Sequence, residues 1–181
     1  MRILIIGSGG REHAIVWALQ KNCSRALELF CAPGNAGIAQ AAECVPIAAT
    51  DVTVLAAHAE EMKIELTFVG PEAPLAAGIV DEFERRELRI VGPEREAARL
   101  ESSKAFAKDF MRRHRIPTAH YRIASSANEA IEILRSGEFG GETTSVVVKA
   151  DGLAAGKGVV VASSRVEAVQ AVNDLTGGAV S

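Results

Sequence analysis

A chain of 181 residues can bury a core without disulfide or metal staples, and 48% hydrophobic against 24% charged residues is a globular balance, not a disordered one. Its 20 Lys and Arg against 23 Asp and Glu give a net charge of −3, with only 4% aromatic residues, which argues against nucleic-acid binding, a role that needs a basic excess and stacking platforms. Three cysteines without a C-x-x-C pair read as reduced thiols of a cytoplasmic protein, and no apolar run approaches the roughly 18 residues of a membrane span.

From Met1 to about residue 92, short apolar runs alternate with helical patterns. Strands are expected at Arg2–Ile6, Leu27–Ala32, Cys44–Ala48, Leu66–Val69 and Leu88–Val91. Helices are expected at Glu12–Lys21, at Val52–Met62 with Asp51 as its cap, and at Leu75–Arg86. This rhythm predicts an α/β fold with an open, parallel, doubly wound sheet. Turn formers follow the strands: Gly7-Ser8-Gly9-Gly10, Pro33-Gly34-Asn35-Ala36-Gly37, and Gly-Pro-Glu at 70–72 and 92–94. Open α/β sheets bind ligands along that carboxyl edge.

Beyond Pro93 the pattern changes. Ser103–Arg113 reads as a helix with Phe106 and Phe110 on one face. Ser126…Glu129 and Ser164…Glu167 are capping boxes that open helices to about Arg135 and Leu175. Between them lie a Gly, Ser and Thr loop at 136–145 and two strands, Val146–Ala150 and Val159–Ala162. These form a second, incomplete α+β unit, with the division at residues 100 and 101. So thin a unit buries little of its own sheet face, and the chain is read as incomplete.

Two glycine loops carry the chemistry. In Gly7-Ser8-Gly9-Gly10-Arg11-Glu12, Glu12 stands where G-x-G-x-x-G has its third glycine, and no carboxylate follows the second strand. A dinucleotide is therefore disfavoured. The glycines, the helix N-terminus and Arg11 suit one phosphate monoester. The second loop, Gly152-Leu153-Ala154-Ala155-Gly156-Lys157-Gly158, departs from the Walker A spacing and runs into a strand. It reads as a flap over a polyphosphate, with Lys149 and Lys157 as cations. Lys104 opens its helix, where the dipole disfavours a cation unless a ligand anion is near. Asn35 and Glu72 could reach sugar hydroxyls or serve their turns. The four histidines show no metal spacing, and His13 alone lies at the phosphate loop.

Together, Gly7–Ala14, Ala32–Gly37, Val69–Leu75, Ser103–Phe106 and Lys149–Val159 resemble the phosphoribosylamine–glycine ligases, also called glycinamide ribonucleotide synthetases, of the ATP-grasp superfamily. The resemblance runs along the whole chain in order. It implies a pre-ATP-grasp domain at 1–100 and, at 101–181, a linker helix with the start of the small ATP-grasp subdomain. The implied reaction joins glycine to 5-phosphoribosylamine through glycyl phosphate, using ATP and Mg2+, in purine synthesis. Gly9, Gly10, Arg11, Asn35 and Glu72 would then contact the ribosylamine substrate. Lys104, Lys149, Asp151, Gly152, Gly156, Lys157 and Gly158 would contact ATP. Family members are more than twice this length, so the Mg2+ ligands are expected beyond Ser181. The 181 residues are expected to be a monomer that binds only these small molecules, neither nucleic acid nor membrane, and to be inactive alone. Another ATP-grasp ligase, a non-catalytic nucleotide-binding module and an NAD-dependent dehydrogenase are the competing readings.

Overall fold

The computed structural model describes residues 1–154 and 157–177, and the chain divides into two compact units, Met1–Glu101 and the residues from Ser102 onward. The first unit holds strands β1 (Arg2–Gly7), β2 (Glu28–Pro33), β3 (Glu43–Cys44), β4 (Leu66–Val69) and β5 (Ile90–Val91). Its helices are α1 (Gly10–Asn22), α2 (Val52–Glu61), α3 (Glu72–Ala77), α4 (Ile79–Arg85) and α5 (Arg95–Ser102), whose last residue is the first of the second unit. The strands form one parallel sheet in the order β3-β2-β1-β4-β5, the α/β architecture expected.

Alternation along β1 and β2 explains why both faces are covered. Leu4, Ile6, Phe30 and Ala32 pack with Leu55, Ala56 and Ala59 of α2 and Ile79, Val80 and Phe83 of α4. Ile3, Ile5, Leu29 and Cys31 point the other way, onto Val16 of α1 and Ile38. A strand buried on both faces reads as a continuous apolar run, which is what Ile3-Leu4-Ile5-Ile6 is. The order reverses direction at β1 and β4, so the crevice between their carboxyl ends is the switch point of the sheet.

Four expectations need correction here. The third strand is only Glu43–Cys44, because Pro46 has no N–H to continue a ladder. The fifth is only Ile90–Val91, a short edge strand, although Thr67 N still donates to Arg89 O. The helix expected at Leu75–Arg86 is two helices, starting at Glu72 and broken at Gly78, whose φ of +88° is left-handed and ends α3. Arg95 then closes the break, donating from Nη2 to Ala77 O, while Asp81 accepts from Arg95 N. Asp51 precedes α2 but makes no side-chain cap.

The second unit contains α6 (Lys104–Arg113), α7 (Ala127–Arg135), β6 (Val146–Lys149), β7 (Val159–Ala162) and α8 (Arg165–Thr176). The two strands pair antiparallel, Val146 opposite Ala162 and Lys149 opposite Val159. One face, Val146, Val148 and Ala162, packs on Leu134 of α7 and Ala168 and Val172 of α8. Val147, Val159 and Val161 on the other face are exposed. Ser126 Oγ and Ser164 Oγ cap α7 and α8 by accepting from Glu129 N and Glu167 N. The glutamates reach back one residue further than a simple capping box, to Ser125 N and Ser163 N. Arg165 is buried and donates to Phe139 O, Gly140 O and Thr144 O, which fixes the loop at 136–145.

Candidate functional site

In the first unit the carboxyl ends of β1, β2 and β4 are tied together by backbone. Gly34 N donates to Gly7 O, and Gly70 N donates to Ile6 O. Asn35 extends the tie: its Oδ1 accepts from Gly37 N and Ile38 N, and its Nδ2 donates to Ser8 O at 2.7 Å. Asn35 is thus a strut between two loops, with one amide hydrogen left for a ligand. His13 lies against the same loop, since a β-carbon on Gly37 would sit 2.9 Å from its Cε1.

Helix α1 begins at Gly10, directly behind the first loop, with Gly9 as its cap residue. The first-turn N–H groups have no intrahelical acceptor and face the carboxyl edge of the sheet. Gly9 N is an exception, because it donates to Glu12 Oε2. The Arg11 guanidinium is exposed and forks onto Glu72, with Nη1 2.8 Å from Oε1. Hydrogen bonding to Arg11 is the main reason that the Glu72 carboxyl titrates below its ordinary value, and Glu72 raises Arg11 in return. A solvated pair of this kind is screened and opens readily, which leaves both charged groups accessible at the sheet edge. Gly9, Gly10, Arg11, Asn35 and Glu72 therefore meet at one sheet edge, with a cleft of about 190 Å3 beside Glu72 lined by Leu75, Pro93 and Ala98.

Sequence reasoning noted Glu12 only as the break in the glycine pattern and gave it no role of its own. It is 3% exposed, and its Oε1 has no hydrogen-bond partner among the described residues. A β-carbon on Gly70 would lie 1.9 Å from that oxygen, and one on Gly7 would lie 2.6 Å from Glu12 Cγ. Both glycines are there because the Glu12 side chain fills the space above them. The signal was available in the broken glycine pattern, but its partner, Gly70, lies far along the chain.

In the second unit, Ser103 Oγ caps α6 by accepting from Phe106 N. The Asp151 carboxylate joins that helix end, accepting from Ser103 Oγ and from Ala105 N. Burial pushes its carboxyl up, and the bonds from Ala105, Ser103, Gly152 and Lys104 outweigh that, leaving it below its ordinary value. Lys104 Nζ donates to Gly152 O at 2.7 Å. Asp151 and Lys104 thus pin the base of the hairpin loop to α6, and Asp151 is turned to the helix end. Lys149 ends β6 and is exposed, and Lys157 is exposed in the loop. Gly152 is left-handed, with φ of +88°, while Gly158 is buried and its carbonyl accepts from Ala150 N. Gly156 lies outside the described residues. A larger cleft in this unit, about 580 Å3 and lined by Arg112, Arg115 and Tyr121, contains none of these residues. Among the described residues no cluster of His, Cys, Asp and Glu could hold a metal ion, and no helix is long and apolar enough to cross a membrane.

The N-domain model of phosphoribosylglycinamide synthetase matches residues 1–101, and the ATP-grasp (A) domain model of the same synthetase matches residues 102–180. The phosphoribosylamine–glycine ligase of Xanthomonas axonopodis pv. citri is 50% identical over 180 residues, covering 98% of this chain and 40% of the relative. That of Haemophilus influenzae is 51% identical, with 98% and 41% covered. The chain thus spans about 40% of the length of the curated relatives it matches. Among solved structures, phosphoribosylamine–glycine ligase from Thermotoga maritima aligns with a TM-score of 0.72 at 32% identity, over 98% of this chain and 41% of that one. The N5-carboxyaminoimidazole ribonucleotide synthetase of Thermus thermophilus aligns at 0.69 with 20% identity, over 97% and 44%, and shares the fold.

Proposed function

The chain belongs to the phosphoribosylglycinamide synthetase family, and from that premise we propose that it carries the ribosylamine-phosphate site and the first part of the ATP site of a phosphoribosylamine–glycine ligase. Residues 1–100 form the domain that holds 5-phosphoribosylamine, and residues 101–181 begin the domain that holds ATP. The observation that carries this reading is the meeting of Gly9, Gly10, Arg11, Asn35 and Glu72 at the switch point, beside a helix N-terminus. Arg11 and the first-turn N–H groups bind the phosphate. Glu72, released from Arg11, and the spare Asn35 amide hydrogen take sugar hydroxyls.

In the second unit, Lys149 and Lys157 offset charge on the ATP phosphates, and Lys104 holds the hairpin loop in place through Gly152 O. Exposed Val147, Val159 and Val161 offer an apolar wall to the base. Mg2+ would supply Lewis acidity and charge neutralisation, but the described residues do not fit it, since Asp151 is engaged at α6. Exclusion of water from the acyl phosphate also asks for more than one wall.

The 181 residues are accordingly expected to bind ribose 5-phosphate and ATP at separate sites and to turn over neither. Two variants test this by titration calorimetry. Arg11→Ala should lose ribose 5-phosphate and keep ATP, and Lys149→Ala the reverse. Glycine-dependent release of ADP by this chain, or loss of both ligands in either variant, would contradict the assignment.

A further inference from the structure

Glu12 is buried at the phosphate loop, where a dinucleotide-binding turn would have a glycine. We infer that Glu12 restricts the Gly7–Arg11 loop to a single phosphate by occupying the space and the backbone donor that a diphosphate would use. The inference rests on the reading of that loop as a phosphate site.

Three observations carry it. The first is spatial. The third glycine of a G-x-G-x-x-G turn lets helix and strand approach closely while the pyrophosphate lies over the turn. Here that seat holds a glutamate whose Cγ and Oε1 crowd Gly7 and Gly70 to less than ordinary contact with any added β-carbon. The crevice floor between the ends of β1 and β4 is therefore filled by carboxylate. The second concerns donors. Glu12 Oε2 takes Gly9 N–H, so that donor is unavailable to a second phosphoryl group. The third concerns polar pairing. Oε1 is buried with no donor among the described residues, so an acceptor without a partner sits beneath the loop. A monoester bound at the rim has Arg11 and the outer first-turn N–H groups on its side. A diphosphate must bring its additional oxygens toward this acceptor, where no described donor offsets the approach.

The test is an NMR titration of the 15N-labelled chain with ribose 5-phosphate and, separately, inorganic pyrophosphate, following the Gly9, Gly10 and Arg11 amides. These amides report the loop alone, whatever pyrophosphate does elsewhere. In the unmodified chain ribose 5-phosphate should shift Gly10 and Arg11 and leave Gly9 in place, and pyrophosphate should bind there about tenfold or more weakly. Glu12→Gly, which restores the glycine, and Glu12→Ala, which vacates the same seat with better helix propensity, should release Gly9 into the titrating set. Each should also raise pyrophosphate affinity relative to ribose 5-phosphate by about tenfold. Glu12→Gln, which keeps the seat filled, should leave Gly9 unmoved. If Gly10 still responds to ribose 5-phosphate in Glu12→Ala but the ratio of the two ligands is unchanged, Glu12 does not select. If ribose 5-phosphate moves none of the three amides in the unmodified chain, the phosphate-site reading fails and this inference with it.

Discussion

The two units solve the problem of holding a glycine loop in different ways. In the first, β1 is the middle strand of five and is covered on both faces, so the loop after it is set by a core that includes Phe83, Leu55 and Ile5. In the second, a two-stranded hairpin is covered on one face only, and its loop is held by the α6 cap residue Ser103 and by Lys104, bonded to Asp151 and Gly152. A loop fixed by a core presents a preformed site, which suits a small phosphate monoester. A loop held at its base by a few polar bonds depends on those bonds rather than on a core, which is compatible with its proposed role over a polyphosphate.

That contrast can be broken most directly by truncating one apolar side chain in each unit. Phe83→Ala removes a fully buried ring and is expected to cost about 3–5 kcal/mol of first-unit stability. Val161→Ala in the second unit, where the side chain is 69% exposed, should stay within about 0.5 kcal/mol. Urea unfolding resolves the two, because the single Trp, Trp17, lies in the first unit and the single Tyr, Tyr121, in the second. Equal losses would mean that the units do not differ as described. Gly70→Ala comes next. Its β-carbon would meet Glu12 Oε1, and the overpacking should cost about 1–3 kcal/mol. Adding Glu12→Ala should recover part of that loss, with a coupling of about 0.5 kcal/mol or more in the double-mutant cycle. Strictly additive losses would remove Glu12 from the contact.

Ser103→Ala is expected to cost about 1 kcal/mol, visible in the Tyr121 transition and absent from that of Trp17. The smallest effect at neutral pH concerns Cys31, whose thiol burial pushes up to about 12. Alkylation at pH 8 followed by mass spectrometry should modify exposed Cys23 well before Cys31. Because the folded value is raised, the stability tied to this thiol is complete below about 8.5, the unfolded value, and is lost as pH rises toward 12. Rapid modification of Cys31 in the folded chain would contradict its burial.

Much of this fold was legible in the sequence. The runs Arg2–Ile6 and Leu66–Val69 became central strands because an all-parallel sheet demands apolar residues on both faces. Ser126 and Ser164 announced their helices through capping chemistry. What escaped was decided by single residues or by distance in the chain. Gly78 broke an otherwise helical pattern, and Pro46 ended a strand that composition alone would have extended. Helix α5 buries only Ala98, so no apolar period marked it. In the candidate site the residue types pointed to phosphate chemistry, but not to how they are engaged. Nothing local shows that Arg11 forks onto Glu72, that Asn35 braces Ser8, or that Asp151 turns to α6, because each partner lies on another element.

The central claim is that the loop cluster at the end of β1 binds a ribose phosphate through Arg11. The direct measurement is the affinity of the unmodified chain and of Arg11→Ala for ribose 5-phosphate by titration calorimetry. Binding that weakens about tenfold or more in Arg11→Ala, with the Trp17 unfolding transition unchanged, is the predicted result. Equal affinity in the two proteins would contradict it.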